Sequence, residues 1–191
     1  MNKSPNPPLC PAWSDFPEIE LYMDQVVNIL ERFLTPYFAE EKAITPTMVN
    51  NYVKQKLISP PQNKRYTKGQ LTRIFMICIL KSFLQLSEIS QLLENRFLPQ
   101  DDEKLFALFS RELDGCVTAV FQNLPLAEKT KNPTERALQS ALMAFASILY
   151  ARKNFRIAAE TWEKPKADTE KETKKENKEK EKKEKKEKKK Q

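Results

Sequence analysis

The positively charged side chains in the middle of the chain are the residues best suited to chemistry, and that chemistry is the binding of an anion. Segment 42–87 holds no Asp or Glu, although the chain of 191 residues has 26 of them. Lys and Arg side chains without neighbouring carboxylates attract phosphate groups, which indicates a polyanionic partner. The basic residues of this segment are Lys42, Lys54, Lys56, Lys64, Arg65, Lys68, Arg73 and Lys81.

The net charge is distributed unevenly along the chain. It totals +7, and segment 163–191 contributes +5 of this through 14 Lys and 9 acidic residues. Residues 1–162 therefore carry +2, and because segment 42–87 carries +8, the rest of 1–162 sums to −6. A basic region within residues 1–162, which are otherwise acidic, predicts one surface that meets a polyanion.

Other kinds of site have few candidate residues. The chain has no His, which removes the commonest general base and metal ligand, and Cys10, Cys78 and Cys116 lack metal-binding or disulfide spacing. We therefore expect a non-enzymatic protein without a cofactor or metal, in the reducing cytoplasm. No membrane association is expected, because the longest apolar run, Ile74–Leu80, is too short to cross a bilayer and the N-terminus lacks a secretory signal.

Apolar side chains at three- and four-residue spacing predict an all-α chain, with at most a short β-wing near Leu57–Tyr66. Thr45 before Pro46, and Thr67 three residues before Gln70, are typical helix starts. Ser87 is a possible cap for a later short helix. The predicted helices cover residues 19–37, 46–57, 68–83, 85–93, 101–124 and Thr134–Trp162.

The order of helix, short loop, helix, Pro-rich basic loop and capped helix is what a winged helix-turn-helix requires. ITPTMVNNYVKQKLI resembles the recognition-helix segment of MerR-type regulators, KRYTKGQLTRI resembles their wing, and LQLSEISQLL resembles the helix that follows. Residues from Phe16 to Leu98 more closely resemble a bacterial family, domain of unknown function 1836, described as MerR-like. The chain departs from the MerR pattern at Asn50, Asn51 and Lys56, which stand in place of Arg, Tyr and Gly.

This resemblance implies a DNA-binding surface. The recognition helix would present small polar and basic side chains to the major groove, where Asn pairs with adenine, and the wing would reach phosphates. Lys64, Arg65 and Lys68 are expected at phosphates, and Tyr66 is expected to pack with its hydroxyl at the rim. The predicted DNA-binding residues are Thr47, Asn50, Asn51, Lys54, Lys64, Arg65, Tyr66 and Lys68.

Four segments follow from these patterns: a Pro-rich disordered arm (1–15), a winged helix-turn-helix domain (16–98), a helical packing or dimerisation segment (99–162) and a charged low-complexity tail (163–191). The tail is expected to be disordered or fractionally helical. It would solubilise the chain or attract nucleic acid without sequence preference.

The predicted function is sequence-specific binding of double-stranded DNA, as a bacterial transcriptional regulator. Wide apolar faces on the last two helices predict a homodimer, whereas MerR regulators dimerise through one long coiled coil. The residues identify no small-molecule effector. The alternative is a non-enzymatic interaction adaptor that uses the same basic surface for an acidic protein partner.

Overall fold

The computed structural model describes residues 9–38, 42–125 and 132–160. Within these ranges the chain is mostly helical, with one small antiparallel sheet, which confirms the all-α prediction with a short β element. The helices are α1 (Met23–Phe38), α2 (Pro46–Lys54), α3 (Lys68–Leu80), α4 (Leu86–Leu93), α5 (Asp102–Gln122) and α6 (Pro133–Glu160). The strands are β1 (Leu21–Tyr22) and β2 (Arg65–Tyr66), and Trp13–Asp15 form one turn of 3-10 helix.

The chain separates into two compact units, Met1–Ala151 and Arg152–Gln191. The first contains the sheet, helices α1 to α5 and the hydrophobic core. Of the second, residues 152–160 are described. The predicted tail 163–191 and Trp162, the predicted last residue of the final helix, lie outside the described residues.

Helix α3 lies at the centre of the core of the first unit. Of its thirteen residues, eleven are buried, so it has no solvent-facing stripe. Helices α1 and α5 pack against it, and the ring of Phe75 lies 6.1 Å from that of Tyr37 and 6.0 Å from that of Phe106, between centroids. Burying one such side chain stabilises the fold by roughly 1.5–3 kcal/mol.

Helix α1 begins later than its apolar spacing predicts. Ile19 and Tyr22, which were expected on its inner face, are 71% and 45% exposed. Leu21 and Tyr22 instead form β1, which pairs antiparallel with β2, and the side chain of Gln25 accepts a hydrogen bond of 2.9 Å from the Tyr22 N–H. Pairing with a distant strand therefore overrides the local helical pattern.

Residues 9–15 differ from the disorder that their prolines suggest. The Cys10 N–H donates to Asp114 Oδ1 at 2.7 Å, and the ring of Trp13 lies 6.3 Å from that of Phe106, which ties this segment to α5. The Asp15 carboxylate accepts a hydrogen bond from the N–H of Ala12, which closes the 3-10 turn. Residues 1–8 of the predicted arm lie outside the described residues.

Two predicted helix starts are confirmed and one is wrong. Thr45 Oγ1 accepts a hydrogen bond of 3.2 Å from an amide in the first turn of α2. Thr67 and Gln70 form the predicted capping box at α3, since each side chain accepts the other's N–H, at 3.3 and 2.8 Å. At α4 the helix begins at Leu86, so Ser87 lies inside the first turn rather than at the cap.

Helix α2 ends in a Schellman motif with a lysine at its left-handed position. The Leu57 N–H donates to the Tyr52 carbonyl at 2.9 Å, and the Lys56 N–H donates to the Val53 carbonyl at 3.0 Å. Lys56 has a φ of 59°, a conformation in which glycine has no steric cost and lysine does. The chain therefore turns away from α2 at a sterically unfavourable residue.

A turn whose two central residues also have positive φ precedes β2. Asn63 and Lys64 have φ values of 48° and 62°, and the Arg65 N–H donates to the Gln62 carbonyl at 2.8 Å. Positive φ at both central residues is the type I′ geometry, which matches the twist of paired strands. We call residues 62–66 the basic turn; it occupies the place where a short β-wing was predicted.

The apolar side chains of α5 and of α6 as far as Leu149 pack within the first unit, whereas Phe155 and Ile157 near the end of α6 are exposed. Phe145 of α6 is fully buried, with ring centroids 5.9 Å from Tyr37 and 6.1 Å from Phe83. The Gln139 side chain donates to Glu112 of α5 at 2.9 Å. These faces favoured a homodimer in the sequence, and self-association stays a prediction.

The two glycines of the chain are expected to respond oppositely to alanine. A Cβ on Gly69 would collide with the Asp102 carboxylate, which accepts a hydrogen bond of 2.6 Å from Arg73, whereas a Cβ on Gly115 meets nothing within 4 Å. Alanine gains about 1 kcal/mol over glycine in a helix, so Gly115→Ala should stabilise by about that amount. Gly69→Ala should instead lower the free energy of unfolding by about 1 kcal/mol, because Asp102 must leave Arg73. Urea denaturation measures both; equal stabilisation would contradict the close approach of α3 and α5.

The left-handed lysines predict a gain in stability on substitution by glycine. Lys56→Gly and Lys64→Gly should each raise the free energy of unfolding by about 0.5–1 kcal/mol, because relief of the left-handed strain exceeds the added entropy of the unfolded chain. Lys54→Gly is the matched control: it lies in α2 and should lose about 1 kcal/mol. Urea denaturation at unchanged m-value tests all three, and a Lys56→Gly protein less stable than the parent would contradict the Schellman geometry.

Candidate nucleic-acid interface

One face of α2 is a row of exposed polar side chains. The opposite face is buried through Val49 and Tyr52, which pack into the core. Positions that are three, four and seven residues apart share one side of a helix, so the exposed residues form a continuous surface. These residues are Thr47, Asn50, Asn51 and Lys54, all predicted from the sequence as DNA contacts.

Tyr52 fixes the orientation of α2 against the central helix. It is 1% exposed, and its hydroxyl lies 4.0 Å from Cys78 Sγ of α3. Burial raises the pKa of Tyr52 above its ordinary range and raises the pKa of the Cys78 thiol to about 12. Both groups are therefore neutral at physiological pH, and the contact anchors the helix rather than providing a nucleophile.

The basic turn presents Lys64 and Arg65 to solvent. Arg65 lies opposite Tyr22 in the antiparallel pair, donates from Nη2 to the Tyr22 hydroxyl at 3.0 Å, and places its guanidinium carbon 4.9 Å from the centre of that ring. The hydrogen bond to Tyr22 raises the pKa of Arg65, and the nearby Glu20 adds to this shift. The guanidinium is thus a fixed positive charge that is held in one place.

The residues that begin α3 hold both the loop after α2 and the basic turn. Gln70 in the first turn of α3 donates from Nε2 to the carbonyl of Ser59 at 2.8 Å and to its hydroxyl at 3.1 Å. Tyr66 is 2% exposed and leads directly into α3. The loop between α2 and β2 is therefore anchored at both ends, and its lysines are displayed from a fixed backbone.

Two of the predicted site residues belong to the interior. Tyr66 is buried, and burial raises the pKa of its hydroxyl. Lys68 is only 8% exposed, because its ammonium forms an ion pair with Glu18 and lies 4.8 Å from the centre of the Trp13 ring. These contacts correct the prediction of Lys68 as an exposed phosphate ligand, and the acid that pairs with it lies 50 residues earlier in the sequence.

The acid-free segment therefore contains two kinds of basic residue. Lys68 and Arg73 are paired with acids that lie outside the segment, Glu18 and Asp102. Sequence reasoning could not find these pairings, because neither acid is a neighbour of its partner along the chain. The basic residues of the segment that remain exposed are Lys42, Lys54, Lys56, Lys64 and Arg65.

Sequence reasoning also missed Tyr22. Its apolar spacing predicts the inner face of a helix, and it lies outside segment 42–87. Only the register of β1 with β2 brings it beside Arg65. The exposed face of α2 and the exposed side chains of Lys56, Lys64, Arg65 and Tyr22 are together called the basic surface below.

Among residues 9–38, 42–125 and 132–160, no group of three Cys, Asp or Glu side chains is arranged to hold a metal ion. Within the described part of the chain, every helix falls short of the length and apolarity needed to cross a membrane.

Comparison with known proteins identifies a family but no characterised relative. No curated protein and no solved structure has significant similarity to the chain. A family model matches residues 11–111, from the segment before the 3-10 turn to the middle of α5, which is more than half of the 191 residues. The chain therefore belongs to the family described as a domain of unknown function, DUF1836.

Proposed function

We propose that this chain is a DNA-binding protein of winged helix-turn-helix type, similar to MerR regulators, and that it acts as a bacterial transcriptional regulator. The observation that supports the proposal is the exposed face of α2. It carries Thr47, Asn50, Asn51 and Lys54 on a helix whose other side is anchored in the core. A short helix held in this way, with small polar side chains outward, fits a recognition helix in a major groove.

The order of elements supports the winged arrangement. Helix α1 packs against α2, and α2 is followed by a loop and then β2, which pairs with β1 at the start of α1. The basic turn is therefore part of a β-ribbon attached to the same helix that supports α2. A ribbon beside a recognition helix fits contacts with the neighbouring phosphates.

The amides and the cations of the basic surface have different roles in the proposed function. Asn50 and Asn51 can each make paired hydrogen bonds to adenine, which gives discrimination between sequences. Lys54, Lys64 and Arg65 would neutralise phosphates, which gives affinity that falls with salt. Tyr66 and Lys68 have no direct part in binding, because they hold the basic turn from inside.

The same exposed cations also suit an acidic protein partner, which is the second candidate function. The net charge of segment 42–87, +8, favours this function, because the charge attracts any kind of polyanion. The exposed amides favour DNA over this candidate, because they add hydrogen-bonding groups with the geometry of base edges.

The proposal predicts separable effects on specificity and on affinity. In selection from a random duplex library followed by anisotropy titrations, Asn50→Ala/Asn51→Ala should reduce preference for the selected site by about tenfold without changing the salt dependence. Lys54→Gln should weaken binding to all duplexes and reduce the slope of log affinity against log salt by about 0.9. Gln91→Ala, at an exposed amide on α4, is the control and should change neither quantity.

The same titrations can refute the proposed function. A folded parent protein that binds no duplex even at low salt would refute it. Salt-sensitive binding of an acidic peptide by that same protein would then favour the adaptor function.

A further inference from the structure

Tyr22 and Arg65 form a pair at the surface rather than in the core. They lie opposite each other across β1 and β2, with the guanidinium over the ring and the Nη2 to hydroxyl distance at 3.0 Å. Tyr22 is 45% exposed and Arg65 is exposed, so the pair is open to a ligand from solvent. Stacking and the hydrogen bond together confine two side chains that would otherwise sample many rotamers.

The direction of the hydrogen bond leaves donors available. Arg65 uses one of its five N–H groups on the Tyr22 oxygen, and because that oxygen is the acceptor, the hydroxyl hydrogen of Tyr22 is free to donate elsewhere. The guanidinium and the hydroxyl therefore offer adjacent donors, and the guanidinium is charged. Arg65 Nη2 and the Tyr22 hydroxyl oxygen lie 3.0 Å apart. A phosphate group presents several oxygens at similar spacing and accepts such donors strongly.

The backbone on both sides of the pair is held in place. The Tyr22 N–H donates to Gln25 Oε1 at 2.9 Å, and the Arg65 N–H closes the type I′ turn on Gln62 at 2.8 Å. That turn places Lys64 next to Arg65, with its side chain in solvent. The donors are thus arranged before a ligand arrives, which lowers the entropy lost on binding.

We infer that Tyr22 and Arg65 together form a phosphate-binding pair, with Tyr22 a direct ligand contact supplied by β1. The inference rests on the proposed function for its ligand, a backbone phosphate of double-stranded DNA. It adds to that function a contact outside the basic segment. The simpler alternative is a cross-strand pair that only stabilises the sheet.

Salt-dependent anisotropy with a labelled random-sequence duplex and the full chain distinguishes these alternatives. Arg65→Gln should weaken binding about tenfold and reduce the salt slope by about 0.9. Tyr22→Phe keeps the ring beneath Arg65 and removes only the hydroxyl, so it should weaken binding about fivefold with an unchanged slope. Arg65→Lys keeps the charge without the fork, and it should keep the slope while losing affinity.

A second arginine provides matched controls. The Arg96 guanidinium lies 5.1 Å from the centre of the Phe97 ring, and both residues are exposed in the segment after α4. Arg96→Gln and Phe97→Leu should leave affinity and salt slope unchanged. Thermal unfolding of every variant separates loss of binding from loss of fold.

If the parent protein binds the duplex and Tyr22→Phe matches it in affinity, Tyr22 is not a ligand contact, so the inference is wrong and the proposed function survives. If the parent binds no duplex, the proposed function fails, and a titration with inorganic phosphate followed by the Arg65 Nε–H signal in NMR decides the inference. A shift of that signal that is lost in Tyr22→Phe would keep the phosphate-binding pair. Absence of the shift would overturn it as well.

Discussion

The burial of eleven of the thirteen residues of α3 is the constraint on which the rest of the first unit depends. A helix that is apolar on every side must be surrounded, and α1 and α5 lie against it. Its first turns nevertheless carry charged side chains, and burying an unpaired charge costs several kcal/mol. Lys68 therefore recruits Glu18 from the segment before β1, and Arg73 recruits Asp102 at the start of α5. Because α3 begins directly after β2, these pairs also fix the place from which the basic turn projects.

The ion pairs of α3 change how many cations of the acid-free segment, 42–87, are available to a ligand. Exclusion of Asp and Glu from 42–87 does not leave all of its cations free, because two of them meet acids that come from elsewhere in the chain. Apart from Lys42 before α2, the cations that remain exposed lie on α2, on the loop that connects it to β2, and at the first residue of β2. The positive potential is therefore concentrated on one short part of the chain, and the internal ion pairs serve to hold that part in position.

Local signals in the sequence were sufficient for most of the helices. Thr45 with Pro46 and the capping box at Thr67 act within one helical turn, so neighbouring residues determine them and the sequence predicted them correctly. The errors arise from contacts between distant residues. Tyr22 fits a helical period equally well, and only its partner on β2 makes it a strand residue. The burial of Lys68 likewise depends on Glu18, which no periodicity or spacing relates to it.

The left-handed lysines connect the local energetics of the fold with the proposed function. Lys56 and Lys64 lie near the two ends of the loop between α2 and β2, and at both positions the backbone favours glycine. Each lysine costs the folded state about 1 kcal/mol that glycine would not. Folding alone would select glycine at such a position. An exposed lysine there is therefore better explained by what its charge contacts. On the proposed function the charge of Lys64 is directed at phosphate, next to Arg65 of the Tyr22–Arg65 pair, and this position is strained for the same reason that it is basic.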